Sequence, residues 1–224
     1  MVPKKLTTEQ KAIQRDVRLD LLDRPEREPE FFSRAMTGDE SWILEYDPET
    51  KRQSRELHTA NSPRPKKGRM SKSKMKSMLI YFFESQGIVP VHKEFVPPGQ
   101  TVNQTFYREV LERLRKRVAR VRPGTVRTWM LQHYNAPCHT AVSINEFLAE
   151  KKAFLWFLSP CDFFLFPRLK LHLKGRHFGA MDNIQKSATD ELKGIPAETF
   201  QHFYEQWKQR PRRCVAAQGN YLDL

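Results

Sequence analysis

The chain has 224 residues, 39% of them hydrophobic and 11% aromatic, which supplies one ordinary core and excludes a wholly disordered tail. A formal net charge of +13 and a pI near 9.8 favour a polyanionic partner, most simply nucleic acid, over a merely basic soluble protein. Cys138, Cys161 and Cys214 are scattered, odd in number and form no CxxC pair. They therefore exclude a zinc ribbon or a disulfide framework and suit a reducing compartment. The first residues lack the apolar core of a signal peptide, and no run is long enough for a membrane helix. The expected setting is the nucleus or cytosol, with no membrane partner.

Residues 7–23 are predicted to form a helix: Thr7 and Gln10 have capping-box spacing, Ile13, Val17 and Leu21 recur every four residues, and Pro25 is expected to end it. A strand is expected over Ala35–Tyr46, carrying Asp39, with Trp42 and Leu44 alternating beyond it and a turn at Asp47-Pro48. Lys51 to Lys76 holds ten Lys or Arg and a single acid, Glu56, with two prolines and a glycine. Such a segment buries little apolar surface and reads as an exposed basic arm. Ser77–Glu84 and Ile88–Val96 read as a hairpin about Gln86-Gly87.

Asn103 is placed to cap a helix from Gln104 to about Val121, with Phe106, Val110, Leu111 and Leu114 inward and Arg108, Arg113, Lys116, Arg117 and Arg120 outward. Pro123-Gly124 stops it. Trp129–His133 reads as a short buried strand, Thr140–Lys152 as a helix, and Phe154–Leu158 as another buried strand. A helical stretch begins at Asp162 and runs to Leu173. Helices follow over Asn183–Leu192 and Glu198–Trp207, and the end is expected to be irregular. Three antiparallel strands, then helix, strand, helix and strand, give an α/β fold in an RNase H-like order.

Phosphodiester chemistry on DNA commonly uses two divalent metals held by carboxylates from separate strands, since Mg²⁺ prefers hard oxygen ligands. Asp39 and Asp162 could supply two such acids, although an isolated Asp beside a turn is more often a cap or a surface residue. The histidines match no zinc spacing. Cys138-His139 lacks an acid in fixed relation, so a cysteine nucleophile is not indicated.

Three stretches go further: TGDESW at Thr37–Trp42, HYNAPCH at His133–His139, and SPCDFFLFP at Ser159–Pro167. Together they resemble the catalytic motifs of mariner-type DNA transposases. Val2-Pro3 with Leu6-Thr7 resembles the linker ahead of that family's catalytic domain. Tyr46–Ser54 and Ser62–Lys67 resemble the segment after the first motif, and Trp207, Arg213–Val215 and Gly219–Tyr221 resemble its C-terminal end. The resemblance implies an RNase H-like catalytic domain over 35–224 behind a linker-like helical segment over 1–34. It implies Mg²⁺ or Mn²⁺ as cofactor, with Asp39 and Asp162 as the first and third metal-binding acids. It also implies hydrolysis and strand transfer at DNA ends, by water and then a freed 3′-hydroxyl.

Two departures bear on activity. The family's middle motif reads His-Asp-Asn-Ala-Pro-x-His, and its Asp position is Tyr134 here; a phenol with a pKa near ~10 does not replace a carboxylate between hard cations. The interval from Tyr134 to Asp162 holds 27 residues where the family pattern has thirty-four, and that loss is expected to displace Asp162. The family's two helix-turn-helix modules are expected to be absent, and with them sequence-specific docking.

The reading is a degenerate catalytic domain that keeps largely non-specific DNA binding, with possible homodimerisation. Arg64, Lys66, Lys67, Arg69, Lys72 and Lys74 on the arm and Arg113, Lys116, Arg117 and Arg120 on the helix are its contact candidates. Two alternatives stand beside it: an active endonuclease using Asp39, Asp162 and a replacement ligand such as Glu40, and a protein-interaction module derived from the family's dimer surface.

Overall fold

In the computed structural model, residues 7–28, 31–54, 70–84, 92–124, 128–133, 136–150, 154–156 and 161–218 are described. The first helix, α1 (Thr8–Arg27), opens with the expected capping box: Thr7 Oγ1 accepts from Gln10 N and Gln10 Oε1 accepts from Thr7 N. It passes Pro25 and ends later than expected. A proline costs one main-chain hydrogen bond there, while Asp20–Arg24 and Asp23–Arg27 pairs at i,i+4 brace the last turns.

Among the described residues five strands form one sheet in the order β3-β2-β1-β4-β5. The long strand β1 (Ala35–Leu44) pairs antiparallel with β2 (Lys76–Glu84), which pairs antiparallel with β3 (His92–Phe95). On its other side β1 pairs parallel with β4 (Met130–Gln132), and β4 with β5 (Phe154–Trp156). This is the RNase H-like order, with β1 ending at Leu44 rather than Tyr46.

Side chains alternate across β1 and give each face its own core. Ile43, with Leu79, Tyr81 and Phe83 of β2, packs against α4 (Phe166–Leu173), α5 (Met181–Lys193) and α6 (Ala197–Ala216). Met36, with Ile80 and Phe82, packs against α2 (Gln104–Val121) and α3 (Val142–Glu150). Asn103 caps α2 as expected, its Oδ1 accepting from Phe106 N. Phe106 itself is only half-buried; Tyr107 takes the inward position, with Val110, Leu111, Leu114 and Val118. Trp129 is fully buried, as expected of a core residue. The irregular end expected after Trp207 is helical instead: α6 continues through Pro211, because Trp207 and Cys214 on either side are both buried and hold it down. Helix α1 packs on α6.

The edge strand β3 is clamped to α2 by Glu94. Arg113 donates to both its oxygens, at 3.0 and 2.8 Å, and His92 Nε2 lies 2.7 Å from Oε2. Burial raises the Glu94 carboxyl, but the bonds and charges of His92 and Arg113 outweigh it and bring it down to about 2. A lowered carboxyl contributes stability that is complete above its ordinary range and lost as pH falls through its folded value. The protein is therefore expected to lose on the order of 2 kcal/mol as pH drops from the ordinary carboxyl value, about 4.3, towards about 2. Urea unfolding across that window tests this, and Arg113→Gln should reduce the slope while the His92 bond keeps the remainder.

Candidate functional site

Asp39 lies near the middle of β1, opposite Tyr81 of β2, and is 7% exposed. Its Oδ1 accepts from Glu40 N at 2.7 Å. Because Asp39 shares its side of the strand with Ile43, it faces the layer of α4, α5 and α6. The parallel register sets Gln132, the last residue of β4, beside Thr37. Thr37 Oγ1 donates to Gln132 Oε1 at 2.5 Å, and both residues are buried. A π-helical turn, Cys161–Leu165, packs against β1. Its buried Cys161 and Leu165 seat it in the same core as Ile43 and Tyr81, on the Asp39 side of the sheet. The backbone of Asp162 belongs to this turn. Its carboxylate, and the whole of Tyr134, lie outside the described residues.

Glu40 points the other way. Its Oε1 is 3.1 Å from His139 Nε2, whose side chain is 1% exposed. His139 stacks on Tyr107, with ring centroids 3.9 Å apart, and Tyr107 Oη shares a 2.8 Å hydrogen bond with His133 Nδ1. Burial, with His139 beside it, brings the His133 imidazole down to about 3, so it is neutral. Burial and then the Glu40 and Asp39 charges push the Tyr107 hydroxyl well above its ordinary value. Burial and Glu40 likewise raise the Cys138 thiol, the opposite of what a thiolate nucleophile needs.

Asp39 and Glu40 are thus neighbours in sequence on opposite faces of the sheet. Glu40 cannot stand beside Asp39 as a replacement ligand without abandoning His139. Among the described residues no group of three His, Cys, Asp or Glu converges to hold a metal. Among the described side chains Asp39 supplies one carboxylate of a two-metal centre on its face, and the Asp162 carboxylate lies outside them.

Of the basic candidates, Arg64, Lys66, Lys67 and Arg69 lie outside the described residues. Lys72 and Lys74 are exposed, and Lys72 Nζ is 3.6 Å from Asp47. On α2, Arg113 is engaged by Glu94, and Glu109 and Glu112 counter the first half of the helix. No acid falls between Arg113 and Arg122, so Lys116, Arg117 and Arg120 form the more strongly basic end. The sequence reading missed Tyr107 and Gln132. Their only signals were a tyrosine in an inward helical position and an amide closing an apolar strand.

Residues 47–128 match a family described as transposase, partial DDE domain. The mariner Mos1 transposase of Drosophila mauritiana is 26% identical over 232 residues, covering 99% of this chain; the chain spans 66% of that relative's length. A pre-cleavage Mos1 transpososome superposes with a TM-score of 0.87 at 25% identity, covering 100% of this chain and 66% of that one. A Mos1 mariner paired end complex with Mn gives 0.88 at 25% identity over the same shares. The catalytic domain of Mos1 alone gives 0.79 at 24% identity with both chains fully covered, a likeness of fold.

Proposed function

We propose that this chain, a relative of the mariner transposases with the fold of their catalytic domain, binds DNA through its basic surfaces and has lost most or all strand cleavage. One observation carries the reading. The fold sets Asp39 on the face where the acidic turn packs, while the sequence has Tyr134 at the position of the second acid. A phenol stays protonated at neutral pH and gives a hard cation little to hold. Mg²⁺ or Mn²⁺ is the cofactor the relatives suggest. Backbone phosphates are the contact for the arm and for the end of α2, which makes binding largely independent of sequence. A second copy of the chain is the protein partner, and the nucleus is the place.

DNA affinity is expected to fall steeply with salt. Neutralising Lys66, Lys67 and Arg69 together should flatten the slope of log K against log salt by up to about 2.7, at ~0.9 per phosphate contact. Filter binding of a random-sequence duplex across a salt series measures it. An unchanged slope in the triple variant would remove the arm from the DNA interface and favour a protein-contact role. One observation favours residual endonuclease activity instead: the turn carrying Asp162 is seated on β1 despite the shorter connection before it. Plasmid nicking in Mn²⁺ that disappears in Asp39→Ala would establish that reading.

A further inference from the structure

Where the root of the arm meets α4, a cleft of about 270 Å³ opens beside the end of β1. Trp42, Leu44, Asp47, Lys72, Lys76 and Lys170 line it. Lys76 Nζ lies over the Trp42 ring, 4.0 Å from its centroid, which holds that ammonium at the cleft wall. The single acid, Asp47, is already matched twice: Lys72 is 3.6 Å from Oδ1 and Lys174 is 3.8 Å from Oδ2. Three lysines on the wall, with Lys174 beside it on Asp47, against one neutralised carboxylate leave the cleft positive.

The frame around it is fixed. Gly175 N donates to Asp47 O at 2.8 Å, and Gln53 Nε2 donates to Leu171 O at 2.9 Å. Tyr46 is bound to Ser73 across the arm's root, Tyr46 N donating to Ser73 Oγ and Ser73 N to Tyr46 O, each at 3.0 Å. The lysines thus stand on a hydrogen-bonded platform rather than on a loose loop. The volume falls below the ~300 Å³ at which small-molecule pockets begin, and the cleft is open to one side. Its shape and charge suit a phosphate group on a longer chain better than a free metabolite.

We propose that this cleft holds a backbone phosphate of a nucleic-acid strand, with Lys170 and Lys174 as contacts the arm does not supply. The proposal rests on the DNA-binding reading above. Ile43, which also lines the cleft and shares the Asp39 face, is four residues from Asp39, about 13 Å along the strand at ~3.3 Å per residue. At ~3.4 Å of rise per nucleotide, a strand crossing the acidic face would bring a phosphate to the cleft roughly four nucleotides away. Helix α4 continues directly from the turn that carries Asp162, so the cleft and that turn share one rigid support.

The test is the double substitution Lys170→Gln, Lys174→Gln in the full chain, with folding checked by circular dichroism. Affinity for a random-sequence DNA duplex is measured across a salt series, alongside the Lys66, Lys67, Arg69 triple variant. The expected result is a slope shallower by about 1.8 in the double variant, additive with the arm's effect. A folded double variant with the parent slope, while the parent binds DNA, would overturn the cleft and leave the DNA-binding reading intact. A parent chain that does not bind DNA overturns both.

Discussion

Tyr134→Asp is expected to bind Mn²⁺ on the order of tenfold or more tighter than the parent chain, because affinity for a hard cation follows the number of charged oxygen ligands. Isothermal titration measures it, and Asp39→Asn in the same background should abolish the gain if the two carboxylates share the ion. Cleavage is not expected to return with the metal. A catalytic constellation tolerates about 0.5 Å of misplacement, and Asp162 is reached through a connection of 27 residues, seven shorter than the family pattern. Supercoiled plasmid should therefore stay intact with the parent in Mg²⁺ or Mn²⁺, and close to background with Tyr134→Asp. Unchanged Mn²⁺ affinity would mean that position 134 does not face the acidic side. Robust nicking by the single variant would mean that the shorter connection leaves Asp162 in place.

Gly38→Ala is expected to be among the most damaging single substitutions in the chain. A Cβ on Gly38 would sit 2.0 Å from Phe82 Cδ1 and 2.2 Å from Cε1. Phe82 is 0% exposed and packed against α2 and α3, so its ring has nowhere to go. Overpacking of this kind costs about 3 kcal/mol, which for a domain of this size lowers Tm by roughly 6–12 °C. Calorimetry gives the shift. Phe82→Leu should relieve the contact, so the double variant is expected to lose less than the two single losses combined. Full additivity would show that the ring and the glycine do not meet. The glycine beside Asp39 is thus a packing requirement: the aromatic ring that fills the core lies flat across the strand that delivers the acid.

Much of this architecture could be read beforehand, for reasons that differ by element. Helix α2 declares itself through a local cap and a strong two-sided pattern. Strand β1 was recognisable from its alternation after Asp39, and the strand order followed from the sequence of elements. Two helix ends were missed, the first expected at Pro25 and the last expected at Trp207; pairs in α1 and buried neighbours in α6 carry each helix on, through Pro25 and Pro211. The site was legible only in part. Asp39 was singled out by its motif, but the separation of Asp39 from Glu40 depends on which face each side chain takes. That in turn depends on what α2 and α3 place beneath the sheet. No periodicity in the chain announces that Tyr107, His133, His139 and Glu40 meet, because they come from three separate segments.

The docking of α1 on α6 joins segments almost two hundred residues apart in the chain. A contact of that span forms only after a very large loop is closed, so it belongs to the slow end of folding. During synthesis α1 leaves the ribosome well before α6 but cannot reach its resting place until α6 has been made. In the interval the face of α1 that α6 will cover remains open to other chains. The sheet and its acidic face can assemble before α1 is in place.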